Sequence, residues 1–219
     1  MAVKNNKAAA ACYQRAIRIN PRDYRGYFSL GQVYEQEQND SLAFFYYMRA
    51  ASLQYACGVG VRSREKLPLV WLTLGRFLQS KGRDARAMDA YLHGRRSDAK
   101  LASHEARLCL LHLCQMAVRR NGAEDALTNC VTWIEQACAY RDDELRTEEG
   151  MEIVRFALKQ CDAENDERGV QLCADLENVL SDSTCMDEVM MWKQRFAQKE
   201  VDRSVSMDCS DSCVCCPNR

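Results

Sequence analysis

The sequence predicts an all-α fold: a right-handed superhelical array of helix hairpins, then C-terminal helices and a disordered tail. Three observations predict it. Between Asp23 and Tyr55 the chain places Tyr27, Leu30, Gly31, Tyr34, Ala43, Tyr47 and Ala50 at helical periodicity, small residues set against large ones. The same set returns 44 residues later as Trp71, Leu74, Gly75, Leu78, Ala87, Tyr91 and Gly94. Only 3 Pro and 10 Gly occur in 219 residues, which suits helices joined by short turns.

The order aromatic, Leu, Gly, Tyr, Ala, aromatic, Ala resembles the tetratricopeptide repeat, two antiparallel helices in about 34 residues. Gly31 and Ala43 are the small contacts where first and second helix cross, and Gly75 and Ala87 repeat them. Tyr27, Tyr34, Tyr47, Trp71 and Tyr91 fill the gaps, and Ala50 keeps the second helix near the next unit. One such hairpin cannot bury its own apolar face, so neighbours must stack.

Taken in order, residues 1–21 hold the second helix of a truncated repeat. Ala9, Tyr13, Ala16 and Pro21 lie 34 residues before Ala43, Tyr47, Ala50 and Tyr55. The helix is expected over 8–20, with Lys4–Lys7 as the turn before it. Its first helix would need about a dozen residues upstream, so a fragment, a truncated gene model or a short isoform of a longer chain is expected. Residues 22–57 and 68–100 are repeats, with an inserted loop over 58–67 carrying two glycines and a charge cluster. Residues 101–140 form a degenerate repeat: Leu110, Leu113, Cys114, Ala117, Ala126, Cys130 and Trp133 follow at an offset of 39. C-terminal helices fill 145–200, with Glu148 and Glu149 in a first turn and Asp182 or Ser183 as an N-cap. Beyond Val201 the apolar period ends, and 201–219 is a Cys-rich disordered tail.

The net charge of −1 gives no bias toward nucleic acid or membrane, and neither is expected as a partner. No apolar run reaches membrane-spanning length. Nine of the 13 cysteines, Cys12 to Cys185, are scattered along helical segments, as small buried hydrophobes would be. The odd count and the lack of a secretory signal point to a reducing compartment. Cys209, Cys213, Cys215 and Cys216 do not have a standard zinc spacing, and Pro217-Asn218-Arg219 excludes a prenylation box. No metal and no cofactor is expected.

No catalytic motif occurs. His93, His104 and His112 read as packing or surface residues, and Arg95-Arg96 and Arg119-Arg120 as cations at helix C-termini. Binding remains. In such an array the first helices line the concave groove, with Arg25, Phe28, Gln32 and Glu35 facing inward in one unit and Leu69, Leu72, Arg76 and Gln79 in the next. An apolar floor with cations and amides suits an extended peptide.

Residues 16–50 carry more than the generic repeat demands: Asn20, Arg22-Asp23-Tyr24-Arg25, Leu30-Gly31-Gln32, Tyr34-Glu35 and Phe45-Tyr46-Tyr47 before Arg49-Ala50. In these the chain resembles subunit 8 of the anaphase-promoting complex (cyclosome), the cell division cycle protein 23 family. A weaker echo lies at Gln136–Tyr140 and Thr147–Gly150. The resemblance implies a non-catalytic scaffold of a multi-subunit E3 ubiquitin ligase in the nucleus and cytoplasm. Its partners would be the other subunits of that complex and the activator proteins whose short motifs enter the groove. The inserted loop, the degenerate unit and the Cys-rich tail depart from the family. The family's homodimer is built by repeats upstream of those present here, so the resemblance does not carry dimerisation to this chain. The rival reading is a generic repeat adaptor or a co-chaperone binding an extended peptide. The co-chaperone's ionic clamp needs Lys and Asn at inward positions where Phe28 and Leu72 stand.

Overall fold

The computed structural model describes residues 2–56, 67–120, 126–164, 166–180 and 185–211. Ten α-helices and one 3-10 helix occupy them: α1 (Ala2–Ile19), α2 (Tyr24–Gln36), α3 (Asp40–Ala56), α4 (Leu67–Ser80), α5 (Asp84–Ser97), α6 (His104–Arg119), α7 (Ala126–Tyr140), the 3-10 turn Asp143–Arg146, α8 (Glu148–Glu164), α9 (Arg168–Leu180) and α10 (Met186–Asp211). Among the described residues there is no strand. The chain is an all-α helical repeat array. It divides into two compact units, Met1–Leu113 and Cys114–Arg219, the division falling inside α6.

In the first unit α2 packs on α3 and α4 on α5 as hairpins, and α1 packs on α2. The start of α2 is set by Asp23, whose carboxylate accepts the Arg25 backbone N–H at 3.0 Å and pairs with the Arg25 guanidinium at 2.7 Å. The guanidinium hydrogen bond holds the Asp23 carboxyl below its ordinary value. Asn39 begins α3 in the same way, its Oδ1 accepting the Leu42 N–H at 3.2 Å.

The two hairpins turn identically. Gln38 (φ 58°) and Gly82 (φ 68°) take the left-handed conformation 44 residues apart. The next N–H reaches back to the last turn, Asn39 to Tyr34 O and Arg83 to Leu78 O, each at 2.9 Å. This is the Schellman closure of a helix C-terminus, which satisfies carbonyls the helix leaves open.

The seam of each hairpin is one ring against one missing side chain. Tyr47 and Tyr91 are fully buried. A Cβ at Gly31 would lie 2.6 Å from the Tyr47 ring, and one at Gly75 would press closer still on the Tyr91 ring. Leu30, Ala43 and Ala50 around the first seam, and Leu74 and Ala87 around the second, are buried as well. Trp71 is buried too, whereas Tyr27 and Tyr34 are half-buried.

The second unit packs α7, α8, α9 and α10 around Trp133, Ile134, Leu145, Leu158, Leu172 and Leu176. α10 packs on α9, where the Phe196 ring lies against Gly169, and is fastened to α8 by charge. The buried Asp162 accepts from Arg195 at 2.8 Å and Lys199 at 2.7 Å, and Arg155 of α8 donates to Glu188 of α10 at 2.8 Å. Burial alone would raise the Asp162 carboxyl; Lys199 and Arg195 outweigh it and bring the group below its ordinary value.

Several boundaries differ from the sequence reading. α1 begins at Ala2 and includes Lys4–Lys7, read as a turn. No Gly or Pro interrupts that stretch, and the alanines that follow favour continuation. α10 runs to Asp211, past Val201 where the apolar period stops. Residues 186–211 also lack Gly and Pro, and a helix already nucleated on buried Val189 and Phe196 extends at little cost. The inserted loop over 58–67, apart from Leu67 at the start of α4, lies outside the described residues, as do the proposed N-caps Asp182 and Ser183 and residues 212–219.

Cys109, Cys114, Cys130, Cys138, Cys161 and Cys173 are buried and outside any disulfide, Cys185 is half-buried, and Cys12 is exposed. The reading of every scattered cysteine as a buried hydrophobe therefore fails at Cys12. It lies on α1, where no described helix occupies the place that α2 takes against α3. Burial pushes the thiols of Cys109 and Cys138 up to about 12 and those of Cys161 and Cys173 up to about 11. They stay protonated and unreactive while buried.

Candidate protein-interaction site

The eight side chains expected to line a groove stand on α2 and α4 at matched positions: Arg25 with Leu69, Phe28 with Leu72, Gln32 with Arg76, Glu35 with Gln79. All four pairs are 44 residues apart. Their environments differ by level. Leu72 is only 3% exposed, so it belongs to the interior of the unit. Phe28 is half-buried with its ring 5.9 Å from Tyr47, and Leu69 is half-buried. Arg25, Gln32, Glu35 and Arg76 are exposed, and Gln79 is half-buried.

Glu35 and Gln79 are tied to the seams beneath them. The Tyr47 hydroxyl donates to Glu35 Oε2 at 2.5 Å, and the Tyr91 hydroxyl donates to Gln79 Oε1 at 2.8 Å. Each bond crosses from the second helix of a hairpin to the last turn of the first. Burial, assisted at Tyr47 by the Glu35 carboxylate, holds both phenols far above their ordinary value. Each side chain is anchored by this bond and keeps further hydrogen-bonding capacity, a second carboxylate oxygen at Glu35 and the amide NH2 at Gln79.

Arg76 is positioned from α6. Its Nε donates to His112 Nε2 at 3.1 Å, and the His112 ring stacks on Tyr91 at 4.9 Å. His112, read from the sequence as a packing or surface residue, fixes the guanidinium of the second level. Periodicity could not show this, because the contact spans 36 residues and two repeats. Arg25, by contrast, is turned to its own N-cap Asp23.

The arrangement offers Gln32 and Gln79 as amides for a peptide backbone, Arg76 as a cation for a carboxylate, and Phe28 with Leu69 as apolar contact. The sequence reading nominates no groove residue on the second helices. Yet a cleft of about 450 Å³ is lined by α3, α4 and α5.

Residues 4–38 match the family description "TPR repeat", and residues 24–57 match "Tetratricopeptide repeat". Within residues 4–57 the chain thus carries tetratricopeptide repeats. These repeats mark a protein–protein interaction adaptor, and no catalytic family is indicated. The crystal structure of BtubC (BKLC) from P. vanneervenii is similar in fold, with a TM-score of 0.55 at 12% identity over 99% of this chain and 93% of that one. At that identity the likeness concerns the fold. A comparison with curated proteins finds no match. Among the described residues no helix is long and apolar enough to cross a membrane.

Proposed function

We propose that this chain is a non-catalytic adaptor that holds an extended peptide along α2 and α4, and that it serves as a scaffold subunit of the anaphase-promoting complex. One observation carries the first part: two consecutive first helices present Gln32 and Glu35, then Arg76 and Gln79, at matched positions, three of the four held by hydrogen bonds from helices behind or beside them. Side chains fixed before binding lose little rotamer freedom on contact. The second part rests on the resemblance of residues 16–50 to the cell division cycle protein 23 family. On that reading the partners are the other subunits and the activator proteins, and the protein works in nucleus and cytoplasm.

The test is purification of the tagged protein from dividing cells with mass spectrometry of the accompanying chains. Cullin-like, RING-like and other repeat subunits in fixed proportion are expected, and Arg76→Glu should reduce recovery of activator proteins. Heat-shock chaperones alone, or no stable partner, would overturn the ligase reading.

A further inference from the structure

The cleft lined by α3, α4 and α5 lies away from the proposed peptide path, and the neighbouring hairpin shows what is missing from it. At the 44-residue offset Tyr27 corresponds to Trp71, Arg49 to His93, Tyr34 to Leu78 and Tyr46 to Ala90. Two of the ring contacts in the α2/α3 hairpin bear on the cleft. Arg49 lies over Tyr27 at 6.0 Å, and Tyr46 stacks on Tyr34 at 5.3 Å with the rings 10° apart. In the α4/α5 hairpin the first contact is kept, as His93 stacked on Trp71 at 4.7 Å. The second is gone, because Leu78 and Ala90 carry no ring. Trp71, Leu78, Ala90 and His93 all border the cleft of about 450 Å³.

Phe44 and Met48 of α3 close one side, Met48 being 42% exposed. Arg86 and Asp89 of α5 stand on the other, both exposed and one helical turn apart. Among the described residues neither is ion-paired. The feature is thus an apolar slot with one positive and one negative charge at its edge.

We propose that this cleft is a socket for one aromatic side chain, Tyr or Phe, of a partner segment that carries an acidic residue on one side of the ring and a basic residue on the other. The ring takes the place that Tyr46 fills against Tyr27 and Tyr34 in the preceding hairpin, between Trp71 and Leu78. The flanking charges meet Arg86 and Asp89. Ring insertion supplies the affinity and the charge order supplies the direction of binding. This goes beyond the groove reading and uses a different face of the same two hairpins.

The experiment uses the full chain labelled with 5-fluorotryptophan, whose 3 tryptophans give separable fluorine resonances. Trp71 is assigned by Trp71→Phe. The probes are the peptide acetyl-Ala-Glu-Ala-Tyr-Ala-Lys-Ala-amide, its charge-reversed form with Lys and Glu exchanged, and the version with Ala in place of Tyr. One charge order is expected to move the Trp71 resonance more than the other, leaving Trp133 and Trp192 in place, and the Ala peptide should move none. Ala90→Tyr, which restores the missing ring from within, should abolish the response. Arg86→Glu combined with Asp89→Arg alters only exposed positions and should invert the preferred charge order, which a damaged fold could not mimic. The proposal is overturned if Trp71 does not respond to either Tyr peptide, if the Ala peptide acts equally, or if the double variant leaves the order unchanged. A Trp71 shift with protein concentration alone would also overturn it, by giving the face to a second copy of the chain.

Discussion

The α2/α3 and α4/α5 hairpins share a frame and differ in what fills it. Both set one tyrosine of the second helix into a glycine of the first, Tyr47 into Gly31 and Tyr91 into Gly75. Both turn through one left-handed residue. The first hairpin then adds a carboxylate acceptor, Glu35, and a tyrosine stack; the second has an amide, Gln79, and an open slot. The difference teaches that backbone geometry here is set by few positions, and that the remaining faces are free to diverge toward partners.

The largest effect should come from the seam itself. Tyr91→Ala removes a fully buried ring and is expected to cost about 3–5 kcal/mol in denaturant unfolding of the first unit, with Tyr47→Ala alike. Gly75→Ala should cost about 1–3 kcal/mol by overpacking, and the cost should largely vanish in a Tyr91→Leu background. Additive costs in that cycle would show that the ring and the glycine are independent.

Next comes the hydroxyl. Tyr47→Phe gives up a bond to a carboxylate and should cost about 1.5 kcal/mol, Tyr91→Phe about 0.5–1 kcal/mol, since charge-assisted bonds are stronger. Equal costs would mean that Glu35 and Gln79 are equivalent supports.

The second unit supplies a contrast in acid. Asp162 is held below its ordinary value, so its stabilising contribution is complete above the unfolded value of about 3.9 and is lost as pH falls through the lower folded one. Asp162→Asn should lower stability at neutral pH and flatten the acid limb of the melting profile; an unchanged limb would remove the ion pairs from the account.

The smallest effect is at the turns. Gln38→Gly relieves a left-handed Gln and should add about 0.5–1 kcal/mol, whereas Gly82→Ala should cost about 1 kcal/mol. Opposite signs at matched positions would confirm that the two turns are one structure.

Much of this frame was legible in the sequence, because an offset of 44 aligns small with small and large with large. Gly31 with Tyr47 and Gly75 with Tyr91 could be read directly as crossing points. The same offset aligns Glu35 with Gln79, yet spacing says nothing about which hydroxyl lies beneath them. Leu72 was expected at an open groove, but position around a helix does not reveal how deeply neighbouring elements cover it. Arg76 depends on His112, a contact no local period encodes. The cleft is invisible to motif reading, since it consists of the side chains that Leu78 and Ala90 lack. The extents of α1 and α10 follow from the absence of breakers, a weaker signal than an apolar stripe.

The buried cysteines have a use of their own. Cys109 lies in the first unit and Cys130, Cys138, Cys161 and Cys173 in the second, all shielded, while Cys12 is open. A thiol reagent therefore finds an immediate target and a set of delayed ones, and each delay measures how often that part of the chain opens. Without any engineered label, the protein carries timers in each of its two units, and a partner that tightens one unit should slow its timer and leave the other running.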